Sequence, residues 1–395
     1  MRLSIIIAAY NEGDALVKTI QSCVETCMGL DYEIVVADDA SWDGSVDEVE
    51  RRFPRLRVVR NLERLGPSPT KDRGARAAAG EVLIFLDGHA KPERGAIRRL
   101  ADDVQRLQGR AVVSPSIVAL DAARWRNAAV ASGHGYQVDL EAFRSTWLPL
   151  GRLRIVREGP RKFYESPIAI GCALAVTREL YETLWGFDPE MRFWGVEDVD
   201  FSLKCWLMGY PILHDPEAVV GHRFQRSFDN YSVPLEQLLA NQLRLARKNF
   251  THSTWEAWVE RRRKQHGADL ADHPEGLWTY AWQVFESRRE SVEEERAHLL
   301  ARRVRDEFWY AERFGLDWPR LQEEEPGAQA APDAQGGPGA LARPGKKLQP
   351  LALTPSPSPS PSPCPTCPDP TTGCHCVSTC PCTEGVTRRR PWRRR

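Results

Sequence analysis

"LSIIIAAY", residues 3–10, is an unbroken apolar run that opens a repeating pattern of strands and helices. A run of this kind is typical of a strand that is covered on both faces of a parallel sheet. The segments "YEIVVADD" (32–39), "LRVVRN" (56–61) and "EVLIFLD" (81–87) repeat it, and stretches with helical spacing of apolar residues separate them. We therefore predict an α/β fold with a Rossmann-like, doubly wound and mostly parallel sheet.

The chain divides into three parts by composition. Residues 1–230 carry the strand and helix pattern and are predicted to form the main α/β domain. Residues 231–325 are predicted to be a helical extension, whose interleaved tryptophans favour core packing over an aromatic acceptor groove. Residues 326–395 are rich in Pro, Ser, Cys and Arg and are predicted to be a disordered tail.

Charge and hydropathy exclude several classes of protein. Lys and Arg total 54, as do Asp and Glu, so the chain has no overall positive field that would favour nucleic-acid binding. No apolar run approaches the length of a transmembrane helix. The first residues read as a β-strand and not as a signal peptide, so we expect a cytoplasmic protein.

Cysteine usage also differs between the body and the tail. Six of the ten cysteines lie between Cys364 and Cys382, in "CPTC", "CHC" and "CPC" spacings that could bind zinc. No predicted strand or helix surrounds them, so a low-complexity segment is favoured, and sugar attachment to this tail is a third possibility. The other four are scattered through the body, as expected of reduced thiols: Cys23, Cys27, Cys172 and Cys205.

Polar residues follow the first two predicted strands, at the edge where doubly wound sheets bind their ligands. Tyr10 and Glu12 follow the first strand, and Asp38 and Asp39 follow the second. An acid pair can accept hydrogen bonds from a nucleobase imide or a ribose hydroxyl, and Tyr10 can offer a face to the base. The competing interpretation is that the aspartates only cap the turn that follows them.

The fourth strand ends in "LDGH", which places Asp87 and His89 one residue apart. In an extended stretch, residues with this spacing point to the same side and can share a cation. Carboxylate and imidazole ligands suit manganese better than magnesium, although magnesium remains possible. His222, after another apolar run in "VVGHRF", is a candidate third ligand. For an isolated "DGH", an ordinary Asp-Gly turn would be the better interpretation.

A third cluster of polar residues opens a predicted helix in "WGVEDVDFS". Glu197, Asp198 and Asp200 lie in its first turn, where acids are favoured by the helix dipole in any case. Trp194 and a glycine precede them and suggest a narrow cleft with an aromatic wall. Asp198 is therefore a candidate general base.

The motifs "YNE", "DDAS", "FLDGH", "WGFDPEMRFWGVEDVDFS" and "VVGHRF" occur here in an order that resembles nucleotide-sugar glycosyltransferases of the GT-A fold, family-two group. The chain resembles most the catalytic domain of polypeptide N-acetylgalactosaminyltransferases and their bacterial relatives, over residues 3–228. The resemblance implies a UDP-sugar donor, a divalent metal ion and a catalytic domain within residues 1–230. It also implies roles for single residues, with Tyr10, Glu12, Asp39, Arg73 and Asp87 binding the donor, Asp87, His89 and His222 holding the metal, and Trp194 and Glu197 lining the sugar and acceptor site.

These observations predict a metal-dependent glycosyltransferase that moves a sugar to a hydroxyl or thiol, with a peptide or protein acceptor favoured by the resemblance. The polypeptide transferases carry asparagine where this chain has Asp198, and a carboxylate there favours inversion of the anomeric centre over retention. Two alternatives stay open: a transferase that builds a polysaccharide or glycolipid, and a non-catalytic sugar-nucleotide or carbohydrate-binding protein. Assembly into an oligomer through the helical extension is also possible.

Overall fold

The computed structural model describes residues 2–224, 232–266 and 276–318. The tail 326–395, for which disorder and a zinc site were considered, lies outside the described residues. The strands are β1 (Leu3–Ala9), β2 (Tyr32–Asp38), β3 (Arg57–Arg60), β4 (Val82–Asp87), β5 (Ala90–Pro92), β6 (Val112–Asp121), β7 (Arg126–Gly133), β8 (Tyr136–Val138), β9 (Ser145–Trp147), β10 (Ile155–Glu158), β11 (Arg161–Glu165), β12 (Ala173–Thr177) and β13 (Ile212–His222). The α-helices are α1 (Asp14–Thr26), α2 (Ser45–Arg52), α3 (Pro67–Ala77), α4 (Ala96–Arg106), α5 (Arg178–Thr183), α6 (Glu197–Leu207), α7 (Leu235–Asn249), α8 (His252–His266), α9 (Leu277–Glu286), α10 (Arg289–Leu300) and α11 (Glu307–Phe314).

The predicted α/β architecture is confirmed by a mixed, mostly parallel sheet. Its strand order is β10-β11-β13-β6-β12-β4-β1-β2-β3. β1 pairs in parallel with β2 on one side and β4 on the other, so these three strands end at the same edge. The ends bring Ala9, Asp38 and Asp87 together, because Ala9 is opposite Asp38 and Ala8 is opposite Asp87.

The continuous apolar runs form the centre of the core. Ile5, Ile6 and Ile7 of β1 are fully buried, as are the corresponding residues of β4. Helices cover both faces of a doubly wound sheet, and strands in that position bury side chains on both sides. Burial on both faces therefore explains the unbroken apolar runs from which these strands were predicted.

The sequence did not predict the antiparallel part of the sheet. β12 runs antiparallel to β4 and next to β6, and β5 runs antiparallel to the end of β13. The residues between 126 and 165 form five short strands, β7 to β11, which had not been recognised. Strands of three to eight residues with alternating polar residues give only a weak periodic signal.

The helices after residue 235 contribute to the same apolar core as the sheet, with Leu243, Trp258 and Phe285 buried. The tryptophans of this region stack on one another, for example Trp255 on Trp258 with ring centroids 6.0 Å apart. Trp255 is only 6% exposed, so its burial agrees with core packing and not with an open aromatic groove.

A buried ionic cluster ties these helices to the sheet domain. Arg244 Nη2 of α7 donates a 2.8 Å hydrogen bond to Asp188 Oδ1, in the loop before α6. Lys248 of α7 donates to the carboxylates of Asp188, of Asp200 on α6 and of Glu295 on α10. Buried charges are stable only when they are paired in this way, so the cluster fixes α7 and α10 against α6.

Candidate active site

A single cleft lies at the carboxyl ends of β1, β2 and β4. Nine of the ten residues selected from the sequence line it: Tyr10, Glu12, Asp39, Asp87, His89, Trp194, Glu197, Asp198 and His222. Arg73 is not among the residues that line the cleft. It lies exposed on α3, where its Nη1 donates a 2.9 Å hydrogen bond to Asn61 Oδ1.

Asp87, His89 and His222 come together at one end of the cleft. Each offers a ligand atom, and these atoms all lie within 4.8 Å of one another. The β5–β13 pairing produces this arrangement, because it places His222 opposite Ala90, the residue after His89. His222 Nε2 lies 3.3 Å from Asp87 Oδ2.

These three side chains fit a divalent metal ion. Both ring nitrogens of His222 are buried, and within the described part of the chain neither makes a well-formed hydrogen bond, although Nε2 has its 3.3 Å contact with Asp87 Oδ2. Leaving a buried polar atom unpaired is costly, so the ring is better explained as a ligand than as a packing residue. Burial also lowers the pKa of His222, which favours the neutral imidazole that binds metals.

Glu12 contacts His89, one of the three candidate metal ligands, directly. Its Oε2 lies 2.8 Å from Nδ1 of His89, an arrangement that leaves Nε2 of His89 available as a ligand. Burial disfavours the charged form of His89, but the Glu12 carboxylate outweighs this effect and raises the histidine pKa. Gly88 makes room for the contact, because a Cβ there would lie 2.7 Å from Cγ of Glu12.

Lys71 of α3 is a buried lysine that lies beside Oδ1 of Asp87, the carboxylate oxygen that does not face His222. Lys71 Nζ lies 3.4 Å from Asp87 Oδ1 and 3.7 Å from Glu197 Oε1, and it donates a 2.8 Å hydrogen bond to the Gly171 carbonyl. Burial alone would raise the pKa of Asp87, but Lys71 and then His222 outweigh it and hold that pKa well below its ordinary value. Asp87 is therefore ionised, as a metal ligand must be.

Glu197 and Asp198 form the opposite wall of the cleft. Helix α6 begins at Glu197, directly after two residues with positive φ, Gly195 at 112° and Val196 at 59°. This sharp turn directs the first turn of the helix towards the cleft. Burial raises the pKa of Glu197 to about 7, although Lys71 opposes the shift.

Asp198 is the more constrained of the two acids. Its Oδ2 accepts hydrogen bonds from the Tyr136 hydroxyl and from the Gly171 amide at 3.1 Å. Its Oδ1 accepts one from the Val199 amide at 2.9 Å. The assignment of Asp198 as general base remains a prediction, and these contacts would have to rearrange for it to act as one.

One side of the cleft is closed by the loop before α3. Asp39 Oδ1 accepts from Leu65 N at 2.7 Å, and its Oδ2 accepts from Gly66 N at 2.8 Å, so Asp39 holds this loop in place. The guanidinium of Arg64 lies 5.0 Å from the ring centroid of Tyr10 and 5.2 Å from that of Phe193. The arginine of this loop that lines the cleft is Arg64.

Comparisons with known proteins agree with this arrangement. The family described as "Glycosyl transferase family 2" matches residues 4–185, and "N-terminal domain of galactosyltransferase" matches residues 151–220. Residues 4–185 therefore match a family 2 glycosyltransferase domain. The matched region includes both β4 and the loop before α3, which contribute residues to the cleft.

The transferase domain is similar to polypeptide N-acetylgalactosaminyltransferases. It is 30% identical over 250 residues to polypeptide N-acetylgalactosaminyltransferase 10 of Rattus norvegicus, covering 61% of this chain and 40% of that protein. It is 31% identical over 259 residues to polypeptide N-acetylgalactosaminyltransferase 11 of Xenopus tropicalis, covering 62% of this chain and 42% of that protein. The chain thus spans about two fifths of the length of these relatives.

A solved structure shows the same fold. The structure titled "Crystal structure of GalNAc-T7 with UDP, GalNAc and Mn2+" superposes on this chain with a TM-score of 0.58 and 20% sequence identity, covering 79% of this chain and 56% of that one. The predicted GT-A fold is confirmed by this likeness. Across the described ranges, no helix is both long and apolar enough to cross a membrane.

Sequence reasoning missed several residues that line the cleft, among them Lys71, Tyr136, Trp147 and Arg64. A weak signal for Lys71 was present, since it and Asp72 are charged residues among the small residues of α3, such as Ser68, Gly74 and Ala75. Tyr136 lies in one of the short unrecognised strands and reaches Asp198 across 62 residues of sequence. No local pattern in the sequence points to a contact of that separation.

Proposed function

We propose that the chain is a metal-dependent glycosyltransferase that moves a sugar from a UDP-sugar to a hydroxyl or thiol of an acceptor, with a peptide or protein as the favoured acceptor. The observation that carries this proposal is one cleft that holds Asp87, His89 and His222 at one end and Glu197 and Asp198 at the other. The family 2 domain and the likeness to polypeptide N-acetylgalactosaminyltransferases support the reaction class and the acceptor.

Asp87, His89 and His222 would hold the metal ion. Two imidazoles and one carboxylate suit manganese better than magnesium, which prefers oxygen ligands only. When bound, a divalent ion neutralises charge that develops on a diphosphate leaving group. The GalNAc-T7 structure, whose title includes UDP and Mn2+, supports the choice of both donor class and metal.

The protein's own residues would orient the two substrates. Tyr10 and Arg64 form an aromatic and cationic surface at the donor side, suited to a base and to phosphate oxygens. Trp194, Tyr136 and Trp147 line the cleft near the acids of α6 and would form an apolar wall for the sugar or acceptor.

The transfer requires one bond to form and one to break. The acceptor oxygen or sulfur attacks C1 of the donor sugar, the bond from C1 to the diphosphate oxygen breaks, and UDP leaves with that electron pair. The acceptor proton passes to a base. We propose that a carboxylate of the Glu197–Asp198 pair accepts it, with inversion of the anomeric centre if the attack comes from the face opposite the diphosphate.

A donor screen tests the proposal. UDP-sugars are incubated with the protein, Mn2+ and serine- or threonine-containing peptides, and UDP release and peptide mass are measured. We expect UDP release and a peptide mass increase with at least one donor, and the coupling constant of the anomeric proton by NMR then gives the stereochemistry. If no donor releases UDP, and wild type and Asp87→Ala behave alike, the chain is not such an enzyme.

A further inference from the structure

Lys71 is a charged residue at a depth in the protein where lysine is rarely found. Its side chain is only 2% exposed, and it projects from α3 towards the cleft. A buried ammonium loses most of its hydration and is tolerated only when fixed acceptors replace the water. The position therefore carries a cost that a neutral residue of similar size would avoid.

The partners of Lys71 come from three separate parts of the cleft. Its Nζ donates to the Gly171 carbonyl at 2.8 Å, lies 3.4 Å from Asp87 Oδ1, and lies 3.7 Å from Glu197 Oε1. Gly171 belongs to the segment before β12, Asp87 ends β4, and Glu197 begins α6. The Lys71 ammonium therefore lies between Asp87, at the end of the cleft with the candidate metal ligands, and Glu197, at the end with the acids of α6.

The two oxygens of Asp87 consequently face different partners. Oδ1 faces Lys71, whereas Oδ2 lies 3.3 Å from Nε2 of His222. A carboxylate that faces an ammonium at one oxygen presents the other oxygen more readily to a second cation. The rotation of the Asp87 side chain about its last bond is thereby restricted, as is expected when a charged group lies beside a metal ligand.

We propose that Lys71 is a positioning residue, which orients Asp87 for the metal ion through Oδ1 and keeps the Glu197 carboxylate directed into the cleft. The metal part of this proposal depends on the proposed function, since it assumes that Asp87 is a metal ligand. The cost of burying the ammonium is explained because the lysine serves two acids at once.

The chain offers a matched control in Lys204. This lysine is 4% exposed, donates to the Gly186 carbonyl at 2.6 Å and lies 3.6 Å from the Asp200 carboxylate, so its surroundings resemble those of Lys71. It is not among the residues that line the cleft. Lys204→Met therefore reports the general effect of removing a buried lysine, and Lys71→Met adds the effect on the site.

The test measures Mn2+ affinity by electron paramagnetic resonance of free Mn2+, without any donor, in wild type and in Lys71→Met, Lys71→Arg and Lys204→Met. Circular dichroism first establishes that each variant is folded. Removing a group that orients a metal ligand typically weakens metal binding by about 10- to 100-fold. We expect a loss in this range for Lys71→Met, partial recovery in Lys71→Arg, and an affinity near wild type for Lys204→Met.

The outcomes separate this proposal from the proposed function. If wild type binds Mn2+ and Lys71→Met binds it equally or more tightly, the positioning role is wrong and the metal site stands. If wild type itself binds no Mn2+, the metal site assumed by the proposed function is wrong. Should Lys71→Met and Lys204→Met lose affinity to the same extent, the effect is general destabilisation and the positioning role is again wrong.

Discussion

Oε2 of Glu12 lies 2.8 Å from Nδ1 of His89, although the two residues are 77 positions apart in the sequence. Glu12 follows β1 and His89 follows β4, and these neighbouring parallel strands end at the same edge of the sheet. The resemblance had assigned Glu12 to the nucleotide pocket. It does line the cleft, and its contact makes it a partner of the predicted metal ligand.

Glu12→Gln should weaken Mn2+ binding. Substitution removes the charge that holds the imidazole of His89 in one tautomer and orientation, and losses of about tenfold or more are typical of such partners. Isothermal titration calorimetry with Mn2+ measures the change. Glu25→Gln, on the exposed face of α1, is the control and should bind as wild type does. Equal affinity in Glu12→Gln and wild type would show that the contact does not support a metal ligand.

Asp188→Asn should strongly destabilise the protein. Asp188 is fully buried and accepts hydrogen bonds from Arg244 and Lys248, which would be left without their charged partner. Breaking a buried ion pair on one side costs about 3–5 kcal/mol, whereas an exposed pair contributes about 0–1 kcal/mol. Urea unfolding should show this difference between Asp188→Asn and Asp14→Asn, which removes an exposed pair with Lys18. A cost below about 1 kcal/mol at Asp188 would contradict the importance of the cluster.

The same cluster should make stability depend on acid pH. Burial alone would raise the pKa of Asp188, but Lys248 and Arg244 outweigh it and hold the pKa well below its ordinary value. The unfolded chain then binds the proton more readily, so this stabilisation is complete above about pH 4 and is lost as the pH falls further.

Urea unfolding of wild type and Asp188→Asn between pH 6 and pH 3 tests this sign. We expect the difference in unfolding free energy between them to shrink as the pH falls below about 4. A difference that stays constant to pH 3, or grows, would show that the Asp188 carboxylate does not titrate in this way.

Gly66→Ala should disrupt the loop before α3, which lines the proposed donor site. Gly66 has a φ of 104°, and a Cβ there would lie 1.8 Å from the Phe193 carbonyl oxygen, so the backbone itself must move. Gly44 also has positive φ, at 79°, but no atom lies within 4 Å of its added Cβ. Gly44→Ala therefore measures conformational strain alone, at about 1 kcal/mol.

Calorimetric titration with UDP and Mn2+, together with urea unfolding, compares these two alanine variants. Gly66→Ala should lose more stability than Gly44→Ala and should also bind UDP more weakly. If both variants bind UDP as wild type does, the loop around Gly66 does not contribute to the donor site.

The central strands could be predicted because each is marked by an apolar run within its own stretch of sequence. The isoleucines of β1 are buried on both faces, so their burial leaves an unbroken apolar run in the sequence. The short strand that carries Tyr136 gave no such run, because it lies outside the main sheet, paired with residues 145–147 and joined to Ile168 by a single bridge. Its position depends on long-range packing, which a periodic pattern does not contain.

The difference between local and long-range signals also explains which residues of the site could be predicted from the sequence. Asp87 and His89 lie one residue apart in a recognisable motif, and the pairing of β5 with β13 brings His222 close to them. Lys71 reaches Gly171 across 100 residues, so its importance becomes visible only in the folded chain. Cytoplasmic location, the boundary near residue 230 and assembly through the helical extension remain predictions from the sequence.

The central claim is that Asp87, His89 and His222 bind a metal ion required for sugar transfer. Its most direct test is UDP release from the UDP-sugar panel by EDTA-treated wild type, before and after Mn2+ is restored, with His222→Ala measured alongside. We predict no release without metal, recovery with Mn2+ in wild type, and release at background in His222→Ala. Release by the EDTA-treated protein, or equal Mn2+-dependent release by His222→Ala, would contradict the account.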